Sequence, residues 1–132
     1  MKTTITETGY VSFNEEVAQA LVDKEGYAVC FGATKGTIKL PTTAAEAKAA
    51  IGVVHLRHRP DDREVSVRLF GAQGSIRARF GGVVAANAPV KVAVGGKFVT
   101  AVATDQAKGL SLLGEASADN TLGEVLLNPF TV

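Results

Sequence analysis

Residues 90–102, Val90-Lys91-Val92-Ala93-Val94-Gly95-Gly96-Lys97-Phe98-Val99-Thr100-Ala101-Val102, decide how this chain reads. Two runs rich in β-branched residues flank a Gly-Gly pair, the pattern of a β-hairpin. Glycine tolerates the positive φ angles of a tight hairpin turn, so a two-residue turn is expected at Gly95-Gly96. Working outward, a strand is expected over Glu64–Phe70, and the alternation of apolar with polar residues in 64–69 (EVSVRL) and in Ser75–Phe80 (SIRARF) marks both stretches as half-buried strands. Residues 109–113 and 122–127 read as closing strands, separated by a polar connector at 117–121. Towards the N-terminus, strands are expected over 27–31, 37–40 and 51–56, the second stopped by Pro41. Thr43-Ala44-Ala45-Glu46 has the spacing of a capping box and starts a short helix within 44–50. Many short strands separated by turn signals predict a mainly β fold. The expected domain is a small β-barrel or β-sandwich of short antiparallel strands, with one or two short helices.

The first residues read differently. Residues 1–13 carry Thr3, Thr4, Thr6 and Thr8 but few apolar groups, and are expected to form an extended N-terminal arm. Ile5, Tyr10, Val11 and Phe13 are its spaced anchors, suited to adding a strand to a neighbour's sheet edge; the alternative is that the segment is the domain's first strand, with Tyr10 and Phe13 in its core. Residues 14–132 then form a single β-rich domain. A short helix is expected over 14–25, with Asn14 as N-cap, Glu15 and Glu16 at its positive end, and Val17 and Leu21 on one face.

The two halves echo each other. Residues 26–70 and 88–128 both run through a strand, a Lys-containing turn, a second strand, a small-residue loop and two further strands. In this alignment Tyr27–Phe31 lies opposite Pro89–Val94, Gly52-Val-Val opposite Gly109-Leu-Ser-Leu, and Val65–Leu69 opposite Glu124–Leu127. Order matches although identities do not, so a duplicated four-strand unit is an expectation to test against the fold.

Composition narrows the function. The chain has 132 residues, 46% hydrophobic and 20% charged, which suits one globular domain and excludes intrinsic disorder. A net charge of +1 dictates neither a nucleic-acid nor a membrane partner, and one cysteine forms no internal disulfide. The longest apolar runs fall far short of the ~20 residues of a membrane helix, and the N-terminus lacks a signal-peptide core. A soluble protein made in a reducing compartment is expected.

Few residue groups invite chemistry. His55-x-x-His58-x-x-Asp61-Asp62 could offer a divalent cation its ligands. However, an extended strand turns His55 and His58 to opposite faces, so a solvated loop without metal is expected. All six arginines lie between Arg57 and Arg79, and subtracting Asp61, Asp62 and Glu64 leaves that stretch at +3. Arg68, Arg77 and Arg79 are the interface candidates, the last two sharing one strand face. Such a basic face could bind nucleic acid, which is the alternative function. Without interleaved aromatic residues it lacks a base-stacking platform, and a protein interface or a solvated face is the expected use. Cys30, between Val29 and Phe31, is expected as a buried, inert thiol. No nucleophile–base pair or phosphate-cradling glycine motif is legible, so the sequence predicts no catalytic residue, no cofactor and no enzyme activity.

Residues 75–132 also carry a resemblance. The run from Ala88-Pro-Val-Lys-Val-Ala-Val-Gly-Gly-Lys-Phe-Val-Thr-Ala-Val, through Gly109-Leu-Ser-Leu-Leu-Gly-Glu-Ala-Ser-Ala, to Gly123-Glu-Val-Leu-Leu-Asn-Pro resembles the head decoration (cement) proteins of tailed bacteriophages. Residues 1–74 are merely consistent with that pattern, and the arginine-bearing loop 57–63 lies outside it. The resemblance implies a β-rich structural protein, synthesised in the host cytoplasm and located on the capsid exterior. Its implied partners are the major capsid protein and itself, commonly as a homotrimer, with no membrane and no catalytic residues.

Overall fold

The computed structural model describes residues 10–72, 74–112 and 121–132. The first half comprises β1 (Tyr10–Glu15), β2 (Ala28–Phe31), β3 (Thr37–Lys39), α1 (Ala44–Lys48), β4 (Gly52–Val54) and β5 (Val65–Leu69). These five strands close into a barrel of order β1-β3-β2-β4-β5. β1 seals it, antiparallel to β5 and parallel to β3. The second half comprises β6 (Ser75–Arg79), β7 (Pro89–Val92), β8 (Phe98–Thr100), β9 (Gln106–Ser111) and β10 (Leu122–Thr131), in the order β6-β10-β9-β7-β8. The expected mainly β, barrel-forming fold is present, with one helix of five residues among the described residues.

The two halves repeat one topology. β6 pairs antiparallel with β10, and a parallel bridge from Phe80 to Phe98 stands where Glu15 meets Ile38 in the first half. Registers agree pair by pair. Gly52 lies opposite Val29 and Leu69, as Gly109 lies opposite Val90 and Leu127. Val11 lies opposite Val67 as Ile76 does opposite Val125, and Phe31 opposite Ile38 as Val92 does opposite Phe98. Connecting segments agree too. The Gly26 N–H donates to the Val54 carbonyl at 2.9 Å and the Asn87 N–H to the Ser111 carbonyl at 2.8 Å, both donors at positive φ (83° and 60°). The strands aligned between the halves in the sequence therefore occupy matching places, and β1 and β6 add a fifth to each unit.

Gly52 and Gly109 show why this register needs glycine. A Cβ at Gly52 would run into the Arg68 carbonyl, and one at Gly109 into the Leu126 carbonyl. In both units the neighbouring strand approaches too closely for any side chain.

The units differ in how they close. The interior of the first is filled by Val11, Phe13, Leu21, Val29, Ile38, Val54, Val65 and Val67. The interior of the second contains Ile76, Phe80, Val90, Phe98 and Val125, but its cluster also takes in Ala28, Ala47, Ala50 and Val53 from the first half. β6 and β8 meet only at the Phe80–Phe98 bridge among the described residues, and residues 26–28 enter the remaining gap. There the Arg79 N–H donates to the Gly26 carbonyl at 2.9 Å and the Ala28 N–H to the Gly96 carbonyl at 2.7 Å. A Cβ on Gly96 would stand 2.6 Å from the Ala28 carbonyl, and its φ is +91°, so this position is glycine for two reasons. Consequently β2 and β4 bury both faces, with Val29 and Val54 inside their own barrel and Ala28 and Val53 against the second sheet.

Three expectations are corrected. Residues 10–13 are not part of an arm: Val11 and Phe13 are buried at 7% and 6% exposure, and β1 is the strand that closes the first barrel. Their alternation with Tyr10 and Ser12 puts both on one face, and a strand with an apolar face is best buried at home. Ile5 lies outside the described residues, as do residues 1–9 and the connector 117–120. No helix forms over 14–25; β1 runs to Glu15 and a series of turns follows, with Gln19 and Asp23 at φ 65° and 59°. Left-handed backbone at those two residues ends any α-helix, and Val17 and Leu21 consequently part, one exposed and the other fully buried. Finally, Ala93 pairs with Lys97, so the hairpin loop is the three residues Val94–Gly96.

Candidate functional site

The interface candidates are dispersed over the first barrel and the seam. The guanidinium of Arg68 lies over the Tyr10 ring at 5.1 Å, and that ring tilts against the His55 imidazole at 4.4 Å between centroids. Sequence alignment alone hid this group, because β1 and β5 become neighbours only when the barrel closes. Burial, reinforced by the nearby Arg68 cation, pushes the His55 pKa down. Arg77 is exposed and pairs with Glu25 at 3.2 Å, while Arg79 donates to the Glu25 carbonyl at 3.2 Å. Both β6 arginines therefore reach the first half of their own chain and span the seam. Arg57 pairs with Asp23 at 2.5 Å, so the arginine-rich stretch spends part of its charge on internal carboxylates.

The histidine–aspartate stretch does not assemble. Among the described residues no group of three or more His, Cys, Asp or Glu side chains could hold a metal ion. His58, instead of standing in a solvated loop, is buried at 2% exposure, its Nε2 2.8 Å from Glu15 Oε1. An ionised carboxylate accepts only, so Nε2 carries the proton. Nδ1 lies 4.0 Å from Asp62. Glu15 also accepts from the backbone N–H groups of Leu21 (2.8 Å) and Gln19 (3.2 Å). Burial pushes the Glu15 carboxyl up, but these hydrogen bonds and His58 outweigh it and hold the pKa below the ordinary value. The site is a structural clasp joining two loops at one end of the first barrel. Its counterpart in the second unit is Phe80, fully buried hydrocarbon.

Cys30 is buried and its thiol pKa is raised, chiefly by burial and then by the Glu46 carboxylate. Glu46 itself closes the α1 N-terminus. Its N–H donates to Thr43 Oγ1 at 3.2 Å, as the capping pattern requires, while its carboxylate takes Lys39, Thr42 Oγ1 and the Thr42 N–H. Hydrogen bonding to Lys39 first, then to Thr42, draws its pKa down to about 2.

A groove of about 500 Å³ runs between α1 and the outer surface of β7 and β9. Ala44, Ala47, Val92 and Val94 give it apolar walls, and Lys48, Lys91, Lys108 and Asp105 bring charge. Lys91 pairs with Asp105 at 2.9 Å, and Asp105 also accepts from the Val102 N–H at 2.8 Å. Lys108 packs its ammonium 5.3 Å from the centre of the Phe70 ring and donates to the Lys48 carbonyl at 3.3 Å. Sequence reading missed these lysines because they come from three separate segments.

Comparison with protein-family models, curated proteins and solved structures finds no match in any of the three.

Proposed function

We propose that the chain is a non-catalytic structural protein of a tailed-phage virion. It decorates the capsid exterior, binds the major capsid protein, and self-associates as a homotrimer that holds neighbouring capsid subunits together. The observation that carries this reading is a coincidence of boundaries. The stretch resembling head decoration proteins, residues 75–132, begins at the first residue of β6 and takes in all five strands of the second unit. A likeness scattered over fragments of different structural units would carry no such weight. Packing is consistent with a scaffold role: the interior of the barrel and the buried face of the second sheet are filled largely by Val, Ile and Phe side chains, which leaves binding to the outer surfaces.

The test is addition of purified chain to heads of the encoding phage assembled without it. Saturable co-sedimentation, with increased resistance of the heads to heat, is expected; heads that stay bare would overturn the proposal. Mass photometry on the free and bound chain checks the trimer. Tight binding to single-stranded DNA that weakens steeply with salt would favour the basic-face alternative instead.

A further inference from the structure

The groove between α1 and the β7/β9 surface holds three ammonium groups against one carboxylate, and that carboxylate is already engaged. Asp105 is held by Lys91 and by the Val102 N–H. Among the described residues neither Lys48 nor Lys108 forms a salt bridge, and Lys48 acts on Asp105 only at longer range, as the weakest influence lowering its pKa. Lys108 is the more demanding of the two. An ammonium carries three donors, and this one spends one of them on the Lys48 carbonyl. Its ammonium also lies 5.3 Å from the centre of the Phe70 ring, so the head is held in place and faces little ordering cost on meeting an anion.

We infer that this groove is a docking site for an acidic, extended segment of a partner protein, whose carboxylates meet Lys108 and Lys48 while its small apolar residues lie against the exposed Ala44 and Val94. Charge complementarity selects the carboxylate, and the apolar walls select a peptide over a nucleic acid. Among the described residues the lining contains no aromatic side chain on which a base could stack. Extended peptides present alternate side chains to opposite sides, so acidic and apolar residues reach lysines and apolar walls together. Burial also lowers the Lys108 pKa, which a carboxylate within ion-pair distance would reverse.

The assignment goes beyond capsid decoration and stands without it, because it concerns the isolated chain. The experiment measures fluorescence anisotropy of a labelled (Glu-Ala)4 peptide titrated with full-length protein at low salt. Its (Gln-Ala)4 counterpart and a single-stranded DNA octamer serve as the other probes. Saturable binding of the Glu peptide is expected, at least about tenfold tighter than the Gln peptide. Lys108→Met, which keeps an unbranched apolar chain of similar length, should weaken it by about fivefold or more, and Lys48→Met by a smaller factor. Lys35→Met, in the loop between β2 and β3, should leave it unchanged. Absence of saturable binding, equal binding of the Gln peptide, displacement by the DNA at lower concentration, or indifference to both Lys108→Met and Lys48→Met would each overturn the inference. Should Lys108→Met fail to fold, Lys48→Met decides alone, since its side chain is exposed. Heads left bare while the peptide binds would sink the capsid reading and leave the groove standing.

Discussion

The closed first barrel and the five-stranded sheet of the second half share four strand pairings and differ at the fifth, where the barrel closes and the sheet stays open. The first is sealed by its own β1, with Asn14 opposite Thr37 and Glu15 opposite Ile38. In the second, the same edge makes one bridge, and residues 26–28 of the first barrel take up the gap through Arg79 and Gly96. The first unit therefore has a core of its own, whereas the core of the second continues onto the outer wall of its neighbour. Equal topology does not confer equal independence; where the edge hydrogen bonds go decides it.

The strongest way to break this comparison is through the paired glycines. Gly52→Ala and Gly109→Ala should each cost more than about 3 kcal/mol, because a methyl group would be driven into a neighbouring carbonyl in both units. Urea unfolding measures it, and tolerance of either variant would mean the registers are not equivalent. Next in size, Phe98→Ala should cost ~3–5 kcal/mol. Its loss should raise amide exchange at Gly26 and Ala28 as well as in β7, since the second core borrows from the first. Exchange confined to the second half would contradict the shared core.

The clasp sharpens the difference between Glu15 and Phe80. Glu15→Gln should cost about 1–3 kcal/mol at neutral pH by weakening a charge-assisted bond to buried His58. The folded-state pKa of Glu15 lies below its unfolded value, so its stabilisation is present above the ordinary carboxylate pKa and is lost as pH falls through the folded one. Thermal unfolding between neutral and acidic pH should therefore fall less steeply in Glu15→Gln than in the wild type; parallel curves would remove Glu15 from the account. The smallest effect is expected at the seam surface. Arg77→Ala breaks an exposed pair with Glu25 and should change stability by no more than about 1 kcal/mol. A larger loss would mean that the seam depends on charge as well as on the backbone bonds of Gly26 and Ala28.

Much of this molecule was legible in the chain alone. Alternation in Val65–Leu69 and Ser75–Arg79, the Thr43–Glu46 cap, and the positive-φ glycines at 95 and 96 are properties of neighbouring residues, and the structure carries all of them. The matching order of elements in the two halves was also visible, because each strand and turn leaves its own local pattern. Pairing across the barrel was beyond such reading. Tyr10, Val11 and Phe13 looked like anchors for a partner because nothing local says that β5 waits for them, and the turns at Gln19 and Asp23 displaced a helix that short-range spacing favoured. Glu15 and His58, and likewise Lys48, Lys91 and Lys108, become neighbours only through closure of the chain on itself. Side-chain periodicity is set by the backbone over a few residues, whereas closure and site assembly depend on which distant edges and apolar faces find each other. That second choice belongs to the tertiary structure.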